Sequence, residues 1–264
     1  MTAINNLKIA ICLAGQYRTF DTEIVQRNLK HFLLDRYDCD IYISTWDDRG
    51  CSLNSGSLIN NALPIVESSI TKYVTVKKVE IENYTDWFHQ LPPQYQALIQ
   101  TSGVHANCIP QLYKKYKVSK LISDDKEYDL VISTRPDLLF FDDLKLDNYL
   151  GSANTIWNCN PKDTWAYYPN RIFDILFLGS TSSIKKISEC YYHIHELLDD
   201  PYNTGLGSLD CCKMLYTYAK KYCNLLVEST PTLVGNVYRD EQSLEYNLQN
   251  CNITLEQYKK HFNL

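Results

Sequence analysis

The sequence predicts an α/β fold: a mostly parallel, Rossmann-like central sheet flanked by helices. Three runs predict it. Ile9–Leu13, Asp40–Thr45 and Tyr128–Thr134 are short and largely apolar, the pattern of strands covered on both faces. The first two are separated by a helical stretch, so the chain opens β-α-β, which brings parallel strands and a right-handed crossover. With 264 residues, 45% of them hydrophobic, the chain can bury a large core and is read as a single domain spanning 1–264.

The elements follow in order. Ile9–Leu13 is ended by Ala14-Gly15. Val25, Leu29, Phe32 and Leu33 recur at i, i+4, i+7 and i+8, which predicts the crossover helix. After the strand at 40–45, the Ser-, Asn- and Gly-rich stretch from Cys51 to Ala62 reads as a loop. Tyr73–Ile81 alternates Val with polar residues, as a half-exposed strand does, and Pro92-Pro93 breaks regular structure between Trp87 and Tyr95. A helix is expected over about 105–123, with Pro110 in its first turn or at a kink. Two further strands are expected at 154–158 and 171–178. An amphipathic helix over 182–198 carries Ile184, Ile187, Tyr191, Ile194 and Leu198 on one face. Ser208 is a candidate cap for a helix carrying Leu209, Cys212, Tyr216 and Ala219, and a last helix runs over about 240–250.

Composition excludes several classes. The 26 basic and 31 acidic side chains leave a net charge of −5, a poor basis for wrapping nucleic acid. No run approaches the roughly 20 apolar residues that span a bilayer. The polar start and short apolar run at 9–14 do not read as a signal peptide. The ten cysteines form no CxxC pair, and Cys211 and Cys212 are adjacent, so they read as reduced thiols. A cytoplasmic protein is expected, free or peripheral to a membrane. Tyr, at 21 residues, combines an apolar body with a polar tip and suits sugar-binding surfaces. An AT-rich coding bias is the alternative, since Asn, Lys and Ile are also frequent.

Three places carry candidate chemistry. Ligands of open α/β sheets bind beyond the carboxyl ends of the strands. The turn Gly15-Gln16-Tyr17-Arg18-Thr19 follows the first strand: Gly15 lets a ligand approach the backbone, Arg18 can meet a phosphate bidentately and Tyr17 can stack on a base. Ser133-Thr134-Arg135-Pro136-Asp137 ends the strand at 128–134. Asp137 there suits a divalent cation bound to a diphosphate, Arg135 adds charge, and Asp142 and Asp143 follow closely. Arg239-Asp240-Glu241 opens the last helix, where the dipole alone favours acids. An ordinary tight turn, a structural Arg-Asp pair and a dipole-complementing acid are the bland alternatives at the three places. Other signals fail. His193 and His195 lie about 200° apart around a helix axis, no HExxH or GxSxG occurs, and Gly205-Leu206-Gly207 lacks a third Gly and a preceding strand.

The runs Ile9–Phe20, Asp40–Trp46 and Tyr128–Leu138 together resemble the small glycosyltransferases of bacterial lipopolysaccharide and capsule synthesis, such as the WavE-like proteins, and similar enzymes of large DNA viruses. Order and spacing match over roughly 8–140. The resemblance implies a GT-A fold, a nucleotide-sugar donor with UDP foremost, a glycan acceptor, and Mn²⁺ or Mg²⁺. It makes 8–140 the donor half and 141–264 the acceptor half. The family's metal motif is commonly Asp-x-Asp; here Arg135-Pro136-Asp137 keeps only the second acid. The resemblance also implies an acceptor-side base, for which Glu241, Asp240 and then Asp174 are the candidates, with Gly15, Gln16, Tyr17, Arg18 and Arg135 on the donor and Asp137 on the metal. His105, Asn107 and Lys114, on the helix before the third strand, are further candidates for the donor. The rivals are a non-catalytic nucleotide- or glycan-binding module, favoured by the missing first Asp, and a nucleotidyltransferase, which needs clustered metal carboxylates.

Overall fold

The computed structural model describes residues 5–48, 65, 67–102, 105–141, 143–159, 170–200, 209–230, 235–237, 245 and 254–261. The expected β-α-β opening is present. Strand β1 (Asn5–Gly15) pairs in parallel with β2 (Tyr37–Trp46), with Ile9 opposite Cys39 and Gly15 opposite Thr45. Between them, helix α1 (Glu23–Leu29) continues into a π-helical turn over Lys30–Leu34. After a short helix α2 (Glu67–Ile70), strand β3 (Lys78–Glu82) extends the sheet in parallel beyond β2. Strand β4 (Leu130–Thr134) adds in parallel on the other side of β1.

The chain then reverses. Strand β7 (Leu176–Gly179) runs antiparallel to β4, β6 (Thr155–Cys159) antiparallel to β7, and β8 (Leu226–Thr230) parallel to β6. The result is one seven-stranded, mostly parallel mixed sheet of order β3-β2-β1-β4-β7-β6-β8, compatible with a Rossmann-like fold. A separate antiparallel pair joins β5 (Leu138–Phe140) to β9 (Gly235–Val237).

Strand alternation sets the two layers. Ile9, Ile11 and Leu13 face a core shared with α1, β5 and Tyr258. Ala10, Cys12 and Ala14 face the other core, and their small side chains let helix α5 (Cys108–Leu121) lie close against β1. Buried Asn28 on α1 ties this layer to β5: its Oδ1 accepts from Phe140 N at 2.7 Å and its Nδ2 donates to Phe140 O at 2.8 Å. Helix α6 (Thr181–Ser188) starts at Ser180, whose hydroxyl accepts from Ser183 N, and leads through a 3₁₀ turn at Glu189–His193 to α7 (Ile194–Leu198). Helix α8 (Cys211–Thr217) also packs on this face.

Several boundaries differ from the sequence expectations. The half-exposed strand begins at Lys78 rather than at 73, because Tyr73 N is held by Gln26 Oε1 at 2.8 Å, in a turn before the sheet. The stretch around Pro92-Pro93 is helical on both sides. Helix α3 (Tyr84–Gln90) is capped by Asn83, which accepts from Asp86 N at 2.7 Å, and Pro93 opens α4 (Pro93–Thr101), where a missing N–H costs nothing. The helix over 182–198 is broken by the 3₁₀ turn. Asp210, not Ser208, caps α8, accepting from Lys213 N at 3.1 Å; Ser208 lies outside the described residues. So does the helix expected over 240–250, apart from residue 245. Pro110 sits in the first turn of α5. Cys12, Cys39, Cys108, Cys190, Cys211, Cys212 and Cys223 are free thiols. Among the described residues, no helix is long and apolar enough to cross a membrane.

Candidate active site

The strand order fixes where a ligand can sit. From β1 the chain builds outward to β2 and β3, then returns to place β4 on the opposite side of β1. The chain leaves the carboxyl ends of β1 and β4 into the same layer, that of α1 and β5, and the carboxyl ends at this switch point of strand order are where open α/β sheets bind ligands. Leu13 lies opposite Thr134, so the turn at 15–19 and the segment 135–137 leave the sheet side by side.

The first turn is tight. Gly15 has φ +113°, and a Cβ there would lie 2.4 Å from Gln111 Oε1 on α5. Gln111 in turn donates from Nε2 to Ala14 O at 3.2 Å. Arg18 is itself left-handed, with φ 49°, and Phe20 N closes the turn on Tyr17 O at 3.1 Å. Tyr17 does not present its ring to the switch point. It is fully buried, in T-shaped contact with Phe20 at 5.6 Å, so the expected stacking on a base is not available to it in this position.

Arg18 and Arg135 converge on one carboxylate. Arg135 donates from Nε to Asp137 Oδ1 at 2.9 Å and from Nη2 to Oδ2 at 3.1 Å, a bidentate fork. Arg18 donates from Nη1 to the same Oδ2 at 3.4 Å, while Gln16 Oε1 accepts from its Nε at 3.0 Å and its Nη2 at 2.7 Å. Asp137 is wholly buried. Burial alone would lower the Arg135 pKa; the charges of Asp137 and Asp174 outweigh it and push the value up.

Asp174 is delivered to the same edge by the chain reversal. Because β7 is antiparallel to β4, Leu176 at its start lies opposite Thr134 at the end of β4. The approach to β7 is stitched by side chains rather than by the sheet. Asn158 accepts from Phe173 N at 2.9 Å and donates to Arg171 O at 2.9 Å, Thr134 Oγ1 donates to Ile175 O at 2.9 Å, and Ile172 N donates to Cys212 O at 3.0 Å. This is why the strand expected over 171–178 begins only at 176. The Cys212 thiol donates to Asp174 Oδ1 at 3.8 Å.

Other sequence candidates fall elsewhere. Lys114 points to the ends of β2 and β3, donating to Glu82 Oε2 at 2.6 Å with its Nζ 3.9 Å from the Trp46 ring centre. Asn107 serves α5 through its backbone carbonyl, which accepts from Gln111 N at 3.0 Å. Asp143 is paired with Arg36, which directly precedes β2 at the opposite edge of the sheet. Asp240, Glu241 and Asp142 lie outside the described residues.

One residue of the site escaped sequence reasoning. Lys115 is buried between α5 and the sheet, donating to Ser133 Oγ at 3.4 Å with its Nζ 4.6 Å from the Phe177 ring centre. Burial lowers its pKa, a shift that Asp174 partly offsets. The available signal was its position: Cys108, Leu112, Lys115 and Ser119 form one buried stripe at helical spacing.

The resemblance implies a divalent cation at Asp137, and the donor set present does not fit one. Both Asp137 oxygens accept from guanidinium groups, and Arg135 stands where the first acid of an Asp-x-Asp pair would be. Among the described residues there is no group of three or more His, Cys, Asp or Glu able to hold a metal ion. At the opposite edge, by the amino ends of the parallel strands, a depression is lined by Lys8, Lys120, Lys126 and Lys185. Its charges are largely paired internally, as Lys120 with Glu189 at 3.2 Å and Lys185 with Asp124 at 2.5 Å, and it is remote from the switch point. No family model matches the chain, and no curated protein does either.

Proposed function

We propose that this chain is a glycosyltransferase that moves a sugar from a nucleotide-sugar donor to a hydroxyl of a glycan. One observation carries the proposal: residues chosen from two separate sequence motifs, Gly15, Gln16 and Arg18 after β1 and Arg135 and Asp137 after β4, converge at the switch point of a Rossmann-like sheet. The site holds guanidinium groups suited to a diphosphate, and it has a half-buried carboxylate, Asp174, at its rim.

In the proposed reaction the bond from sugar C1 to the diphosphate oxygen breaks, and its electron pair stays on that oxygen. The acceptor oxygen bonds to C1, and its proton passes to a carboxylate. Arg18 and Arg135 counter the charge that grows on the leaving group. Asp174 is the described candidate for the base; Asp240 and Glu241 are the others. With UDP-, GDP- and CMP-sugars offered in turn, a UDP-sugar first, one donor raises the melting temperature by mass action. Asp174→Asn then lowers turnover about 10²–10⁴-fold with donor affinity little changed. Normal turnover in the variant moves the base to Asp240 or Glu241.

The second reading, a non-catalytic nucleotide- or glycan-binding module, is favoured by Arg135 in place of an acid. Donor hydrolysis in the absence of acceptor tells them apart: a binding module leaves the donor intact.

A further inference from the structure

Resting on the glycosyltransferase reading, we propose that the donor diphosphate is held and neutralised by three protein cations, Arg18, Arg135 and the buried Lys115, without a divalent cation. Three facts point there. First, Asp137 is saturated. A metal ion binding its oxygens at about 2.0–2.2 Å would have to displace Arg135 or Arg18 and then sit beside two guanidinium groups. Asp137 thus acts as a positioning residue that holds two arginines side by side.

Second, cations gather at this edge: Arg18 and Arg135 share the carboxylate of Asp137, and Asp174 acts on both Arg135 and Lys115. A diphosphate bound here meets several cations within one site.

Third, Lys115 is an ammonium group with spare donors. Its three N–H bonds find one hydroxyl, at 3.4 Å, and one aromatic face. Among the described residues no carboxylate lies within salt-bridge distance of it. Burying a charge with so little compensation is costly, and a bound phosphate oxygen would relieve it. As the C1–O bond breaks, the extra negative charge on the leaving oxygen meets a fixed array of cations that needs no reorganisation.

The test is calorimetric titration of UDP, with GDP and CDP as alternatives, into chelator-treated protein and into the same protein with excess Mn²⁺. The expected result is binding in chelator with an affinity within about threefold of that in Mn²⁺, a difference of under 1 kcal/mol. Lys115→Met keeps the buried stem and removes the charge. Its apo melting temperature should be unchanged or higher, while affinity for the nucleoside diphosphate falls about ten- to a hundredfold, the scale of a charged hydrogen bond. A purely structural lysine would not separate these two readouts. Binding only with Mn²⁺ overturns the metal-free cradle and leaves the glycosyltransferase reading standing, as does wild-type affinity in folded Lys115→Met. If no nucleoside diphosphate binds under either condition, the glycosyltransferase reading itself fails.

Discussion

At the scale of single residues, Asp137 shows how burial changes the meaning of a motif. By sequence, Asp137→Asn is a swap at nearly constant volume that leaves folding intact. In the structure it strips the counter-charge from two guanidinium groups around a fully buried position. The expected outcome is a loss of about 3–5 kcal/mol in folding stability, measured by urea denaturation; an unchanged midpoint would mean that the fork is not formed. Arg18→Ala, by contrast, leaves the Arg135–Asp137 fork in place. It should weaken donor binding by about 1–3 kcal/mol in a titration, and wild-type affinity would remove Arg18 from the donor site. The position of Arg18 and Arg135 just beyond strand ends was legible because an apolar strand announces where its end emerges. The burial of Tyr17 and Lys115 was not, because neither burial within a turn nor a charge turned inward from a helix is written in residue type.

At the scale of elements, β1, β2 and β4 were legible because both faces are covered, which forces continuous apolar runs. The antiparallel β7 was placed only roughly. Its approach is held by Asn158 and Thr134 side chains, contacts between residues distant in sequence. At the junction of β1 with α5, Gly15 lies close against Gln111 and gives a sharp prediction. Gly15→Ala meets both a left-handed backbone and the Gln111 side chain, and should destabilise the fold by about 1–3 kcal/mol. Adding Gln111→Ala should recover the steric part but not the backbone part, so the double variant stays below the single Gln111→Ala in denaturant midpoint. Full recovery would place all the cost in the contact.

At the scale of the whole molecule, the buried lysines of α5 tie stability to pH. Burial pushes Lys114 down to about 8, although Glu82 and Glu80 pull the other way. The folded chain therefore disfavours the charged form. The cost is full below the folded value and fades as pH rises from about 8 toward the ordinary 10.5, where the unfolded chain also releases its proton. Over that window the wild type should gain stability relative to Lys114→Met in urea melts at successive pH values. Parallel curves would show that Lys114 titrates normally. Sequence alone could not set this sign, because it depends on Trp46 and Glu82 closing over the amine.

The place of β1 in the middle of the sheet also has a consequence for synthesis on the ribosome. Ile9 pairs with Leu130, about 120 residues later, so at about 5–20 residues per second β1 waits roughly 6–24 s for its second neighbour. During that interval the strand destined for the centre of the protein is an edge with unpaired backbone groups, and its Ala10, Cys12 and Ala14 face still waits for α5. Nascent chains stalled short of Leu130 are the ones that should recruit chaperones.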